Sequence, residues 1–194
     1  MHALPVRRRT PLDLAAGLLL ACWLWLLAPP VQAQGVELAS LNAKREDGAL
    51  TLEFSARVTL PRAVEDALAR GVPLYFVADA TLLRSRWYWR DERVARVTRS
   101  WRVAYQPLTG TWRVGLGGLN QSYGTLTEAL AAASSSAGWK LAELSTLGTD
   151  KGYYVEFDYR LDTSQLPGPM QFGLGGLGGQ GDWTVRAERV LRLD

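Results

Sequence analysis

The chain has a single histidine, His2, and a single cysteine, Cys22, and both fall within the first 33 of its 194 residues. Those 33 residues read as an export signal, so the mature chain is expected to contain neither side chain. That excludes Ser-His-Asp and Cys-His nucleophilic catalysis, the common zinc and haem ligand sets, thioredoxin-type redox chemistry and any disulfide framework. An exported domain without disulfides must be held by its core alone.

Excess charge of one sign is also scarce. The formal net charge is +3, from 22 basic and 19 acidic residues. Removing Arg7, Arg8, Arg9 and Asp13 with the signal leaves nineteen basic against eighteen acidic residues, a net +1. The basic balance therefore belongs mostly to the signal, and no nucleic-acid partner is expected. Long apolar runs are confined to Leu14–Ala28. This run follows the three arginines, is closed by Pro29 and Pro30, and leads to Val31-Gln32-Ala33, whose small residues at −3 and −1 predict cleavage before Gln34.

Three alternatives fit less well. A retained single-pass anchor would need about 17 apolar residues or more, which this run barely approaches. A lipoprotein cut before Cys22 would leave Trp23 to Leu27 as an apolar stub, and Arg8-Arg9-Thr10-Pro11 lacks the hydrophobic pair of a twin-arginine signal. The expectation is a periplasmic or secreted protein with no membrane contact after cleavage, whose residues 34–194 form a single mainly-β domain.

What the mature chain does have is tryptophan: Trp87, Trp89, Trp101, Trp112, Trp139 and Trp183. It also has clear period-two patterns. Leu50, Leu52, Phe54, Ala56 and Val58 alternate with Thr51, Glu53, Ser55, Arg57 and Thr59, which means strand. Gly48 provides a turn back to the run 36–44, giving a hairpin. Pro61 opens a short helix to Arg70, stopped by Gly71. Val72–Leu82 is apolar on both faces and should lie inside its sheet. After the turn 106–110 comes a strand 111–116, a loop through Asn120, and a helix 125–133 that Thr125 or Thr127 could cap. Residues 139–146 and 153–162 read as a further alternating pair, and 183–193 as the last strand. The order hairpin, helix, two strands occurs twice, at 36–90 and 101–161, which suggests an internal duplication.

Leu83–Tyr105 concentrates seven arginines and three tryptophans. It reads as a hairpin turning at Asp91-Glu92, with Arg84, Arg86, Tyr88 and Arg90 on the exposed face of the first strand and Trp87 and Trp89 on the buried one. Trp87, Trp89 and Trp101 are then the structural aromatic core, and the first four residues are the candidate binding surface. A helix over 91–101 is possible by spacing, but valine and threonine there favour strand. The stretch has three readings. In the first, its arginines ladder with Asp79, Asp91, Glu92, Glu156 or Asp158 over a tryptophan core, which charge balance favours. In the second they bind a phosphate or carboxylate, and in the third exposed Trp87, Trp89 or Tyr88 stack on sugars or seat a protein.

Gly173, Gly175 and Gly178 satisfy G-x-G-x-x-G, but they lead into the strand-like run 182–186 rather than a helix. A hairpin loop at 173–181 is expected and no nucleotide. Asn120-Gln121-Ser122 matches a short glycosylation pattern that carries nothing by itself. For catalysis, Asp79, Asp91, Glu92, Glu156, Asp158 and Asp162 are the carboxylates that could flank a cleft as in a glycosidase, though Asp162 before Thr163-Ser164 is more simply an Asx-turn.

Four blocks resemble a known family: Gly71–Asp79 (GVPLYFVAD), Arg86–Trp89 (RWYW), Tyr105–Thr109 (YQPLT) and Arg160–Pro167 (RLDTSQLP). They occur in the right order and span essentially the whole mature chain. The family is one of exported proteobacterial proteins, the domain of unknown function 4390. The resemblance implies a Gram-negative periplasmic or secreted single-domain protein and no activity. The matching positions are Asp79, Arg86, Trp87, Trp89, Pro107 and Asp162. The chain departs from the pattern in its glycine-rich run 173–181 and in lacking a late tryptophan after Trp183.

The expected fold is mainly antiparallel β with two short helices, as a two-sheet sandwich or partly open barrel. The expected function is non-enzymatic binding in the cell envelope, with an envelope protein or small anionic ligand as partner and no cofactor or metal. The alternative is a carboxylate-dependent hydrolase of envelope glycans. Two facing carboxylates in a cleft would favour the hydrolase, and carboxylates paired to arginines would favour binding.

Overall fold

The computed structural model of the chain describes residues 35–88, 90–148, 152–165 and 185–193. The expected export signal, Trp89, the expected loop 173–181 and Trp183 lie outside the described residues.

Strands β1 (Gly35–Glu46) and β2 (Ala49–Thr59) form the expected hairpin. Both turn residues, Asp47 and Gly48, have positive φ, at 50° and 74°. That is the twist which matches a tight two-residue connection to its strands. Helix α1 (Arg62–Ala69) follows, with Pro61 just outside it as N-cap, and buries Val64, Ala67 and Leu68. Gly71 at φ 89° ends the segment. Strands β3 (Leu74–Arg84), β4 (Glu92–Gln106), β5 (Thr111–Leu116) and β6 (Leu119–Tyr123) form an antiparallel meander. Helix α2 (Leu126–Ala133) opens with a capping box: Thr125 Oγ1 accepts the Glu128 N–H, and Glu128 Oε2 accepts the Thr125 N–H, both at 3.2 Å. Strands β7 (Ser135–Glu143), β8 (Tyr153–Leu161) and β9 (Arg186–Leu193) complete the fold.

The strands make two sheets, β1-β2-β7 and β6-β5-β4-β3-β8-β9, with every pairing antiparallel. The sheets stack as a sandwich and do not close into a barrel. As its two-sided apolar pattern requires, β3 lies inside the larger sheet, between β4 and β8.

Phe54 of β2 joins the layers. Its ring lies edge-on to Trp101 of β4 at 5.9 Å, and 4.9 and 5.6 Å from Phe157 and Tyr159 of β8. Tyr159 stacks on Phe76 of β3 and donates its hydroxyl to the Ala133 carbonyl at 3.1 Å, so its one polar atom is satisfied in the core. Burial pushes that phenol well above its ordinary pKa.

Three expectations are corrected. The loop through Asn120 is strand β6. Its turn, Gly117-Gly118, has two positive φ angles of 56° and 89°, and its polar sequence hides the alternation that marks a strand. The pair expected from 139–146 and 153–162 does not form, because β7 adds to β2 while β8 adds to β3. Trp139 and Leu141 of β7 are buried in the core cluster that holds Phe54, which places that strand in the smaller sheet. For the same reason the repeated order of elements is not a repeated architecture: β3 and β4 pair with each other, whereas β7 and β8 lie in different sheets.

Candidate functional site

The even-numbered residues of β3, from Leu74 to Leu82, are fully buried beneath the smaller sheet. The odd-numbered residues therefore occupy the outer face of the six-stranded sheet. Asp79 is at its middle, opposite Thr98 on β4 and Asp158 on β8, and is only 8% exposed. Its carboxylate accepts hydrogen bonds from Thr98 Oγ1, from Arg160 Nη1 at 2.8 Å and from Arg96 Nη2 at 3.4 Å. Arg160 Nη1 also donates to Asp158. Asp158 accepts a second bond from Arg186 Nε at 2.6 Å, and Arg186 reaches Glu188 at 2.6 Å. The result is a charge ladder across β4, β3, β8 and β9. Burial opposes ionisation of Asp79, but the Thr98 and Arg160 hydrogen bonds and the Arg160 and Arg96 charges outweigh it and hold the carboxyl below its usual range. Arg160 is held more firmly protonated, chiefly by Asp79.

A glycosidase needs one carboxyl kept protonated near neutrality beside a cleft. The two facing carboxylates, Asp79 and Asp158, share an arginine and sit on an open sheet. A cleft of about 240 Å³ at the β1 and β9 edges is lined by Asn42, Arg45, Leu50, Leu191 and Arg192 among others, and by no carboxylate. Asp162 forms the expected Asx-turn, accepting Ser164 N–H at 3.0 Å and Gln165 Nε2 at 2.8 Å. Among the described residues no three metal-ligating side chains gather.

The arginine and tryptophan stretch is divided differently from expectation. β3 ends at Arg84 and β4 begins at Glu92, and the described residues between them, 85–88 and 90–91, form a loop. β8 begins at Tyr153, opposite Arg84, and among the described residues of the loop Ser85 alone finds a further backbone partner, Gly152 O at 2.9 Å. The base of the loop is fixed by charge. Glu92 Oε2 accepts from both Arg84 Nη2 and Arg86 Nη2, and Asp91 accepts the Arg86 N–H at 3.2 Å and the Tyr154 hydroxyl at 2.5 Å. That last bond, and to a lesser degree burial, pushes the Tyr154 phenol up to about 12.

Above this base, Trp87 is 94% exposed and Tyr88 65%, their rings meeting edge to face at 5.1 Å. The assignment of Trp87 to the aromatic core is thus overturned, since a residue beyond the last paired strand position has no second layer to enter. Trp101 is in the core. Among the candidate binding residues, Arg84 and Arg86 are half-buried on Glu92, whereas Tyr88 and Arg90 are exposed. The ladder's other half, Arg160 and Arg186, was missed from sequence; the signal was present, because period two puts Arg160 on the same face as Asp158.

No curated protein and no solved structure matches this chain. A family model described as a domain of unknown function, DUF4390, matches residues 33–191, from before β1 into β9. The chain belongs to the DUF4390 family.

Proposed function

We propose that this protein is an exported cell-envelope domain of a Gram-negative bacterium that binds a partner protein and catalyses nothing. The observation carrying this reading is that Asp79, Asp158 and Glu92 are neutralised by arginines rather than facing each other across a cleft. An ionised, arginine-held carboxylate is a poor proton donor and a poor nucleophile. The contact point is the loop apex, where Trp87, Tyr88 and Arg90 stand clear of a base held by Arg84, Arg86 and Glu92. Tryptophan, tyrosine and arginine are the residues most enriched at energetic centres of protein interfaces. A rigid base also limits the conformational entropy lost when such a loop docks.

The test is retention of envelope proteins by the immobilised chain, beside a Trp87→Ala/Tyr88→Ala variant of unchanged melting temperature. The reading predicts a retained protein that the variant loses. Equal retention by both, or release of soluble fragments from purified envelope glycan by the wild type, would overturn it.

A further inference from the structure

Among the described residues the two sheets have four edges, β1 and β7 on the smaller and β6 and β9 on the larger. An unpaired edge invites another strand unless charge, proline or a bulge blocks it. Three of the four are blocked. β1 carries Glu37, Lys44, Arg45 and Glu46, with an irregularity between Leu38 and Ser40. β7 carries Lys140 and Glu143, and its pairing with β2 is broken twice. β9 carries Arg186, Glu188, Arg189 and Arg192.

The sequence of β6 is Leu-Asn-Gln-Ser-Tyr, with no charge, no proline and no break in its pairing with β5. At five residues it has the length of an ordinary strand. The two-residue turn makes Leu116 and Leu119 a hydrogen-bonded pair, and alternation does the same for Val114 with Gln121 and Trp112 with Tyr123. Asn120 and Ser122 therefore direct their backbone N–H and C=O groups away from β5. No described backbone group bonds to them there.

On the outer face the charges nearest this edge have one sign. Arg113 lies opposite Ser122 on the outer face, with Arg102 diagonal to it on β4. Arg96, Arg160 and Arg186 on the same face are all ion-paired, but neither Arg102 nor Arg113 makes an ion pair among the described residues. Arg113 Nε is moreover buried with no hydrogen-bond partner among the described residues. On the opposite face of β6, Leu119 is 76% exposed.

We propose that β6 receives an extended segment of a partner protein as an added antiparallel or parallel strand, and that this segment alternates glutamate with apolar residues. Strands lie about 4.8 Å apart, so a residue opposite Ser122 would sit about 10 Å from Arg113. An arginine and a glutamate together span that gap. The small Ser122 side chain leaves the path between them open. On the other face an apolar residue covers Leu119. A second copy of this chain fits poorly, since β6 has no carboxylate to offer Arg113. This surface is separate from the loop apex.

The probe is a short fluorescein-labelled peptide alternating valine with glutamate, titrated against the full chain and read by anisotropy. The expected result is saturable binding, abolished by Ser122→Pro, which removes an outward N–H while leaving the β5 pairing intact. Arg113→Gln should weaken the glutamate peptide about tenfold and leave a glutamine-substituted peptide unchanged, as expected for loss of one charge-assisted contact. The Trp87→Ala/Tyr88→Ala variant should bind the peptide like wild type, so failure at the apex and failure at the edge are distinguishable. The proposal is overturned if the wild type does not bind, if folded Ser122→Pro binds equally, or if β6 instead mediates a dimer that the peptide cannot displace.

Discussion

Asp79 and Asp158 lie directly opposite each other on β3 and β8, and one guanidinium nitrogen, Arg160 Nη1, donates to both. Two carboxylates so placed would repel if bare. Flanked by Arg96 and Arg186 as well, they become the alternating rungs of a ladder that ties four strands together on the solvent side of the large sheet.

The first prediction follows from that ladder. The folded-state pKa of Asp79 is depressed, so its contribution to stability is present above the unfolded value of about 3.9 and is lost as pH falls through the depressed one. Asp79→Asn should cost about 1–3 kcal/mol at pH 7. The gap from wild type should close as the solution is acidified below pH 4. Urea denaturation of both proteins at pH 7 and at low pH measures it, and a pH-independent gap would mean the carboxylate charge is not what stabilises.

A second prediction separates the tryptophans. Trp101→Ala and Phe54→Ala each empty the layer between the sheets and should cost about 3–5 kcal/mol. Trp87→Ala removes a ring that stands in solvent and should change stability by less than about 0.5 kcal/mol. Denaturant midpoints of the three variants decide it; a large loss at Trp87 would place its ring against the fold.

The third concerns the loop base. With its phenol pushed up to about 12 by Asp91, Tyr154 should be absent from the tyrosine titration near pH 10 and appear about two units later. The raised folded value means this bond stabilises fully below pH 10 and is lost as pH rises towards 12. Difference spectra between wild type and Tyr154→Phe isolate the signal, and Asp91→Asn should bring it back towards 10.

The fourth tests the compartment. A reporter active only in the periplasm, fused to the chain without residues 1–33, should be inactive, and the full-length fusion active. Export of the truncated fusion would rule out the signal reading.

Much of this fold could be read from the chain. The alternation of Leu50 to Val58, the two-sided apolar run of β3 and the Thr125-x-x-Glu128 capping box are local patterns whose physics does not depend on distant residues. The failures share one cause. Arg84 to Arg90 alternates as cleanly as β2 does, but alternation places a side chain only where a neighbouring strand extends, and β8 begins at Tyr153, opposite Arg84. β6 shows the converse: a polar run with no apolar signature becomes a strand because the Gly117-Gly118 turn lays it against β5. The candidate site was legible as a list of charges but not as pairs, since Asp79 meets Arg160 only after β8 has joined β3.

The pairing of β2 with β7 brings Ser55 beside Ser135, across the whole meander and both helices. Loop closure of that length is entropically costly and slow, and chains dominated by such contacts fold in milliseconds to seconds rather than microseconds. Phe54 sits on β2, but three of its ring partners, Trp139, Phe157 and Tyr159, come from β7 and β8. A chain emerging amino-terminus first therefore lacks three of the four ring partners of Phe54 until its last third arrives. The rate at which this protein becomes native should therefore depend on its carboxy-terminal strands, and a truncation before Ser135 should leave β1 and β2 as an aggregation-prone fragment rather than a smaller domain.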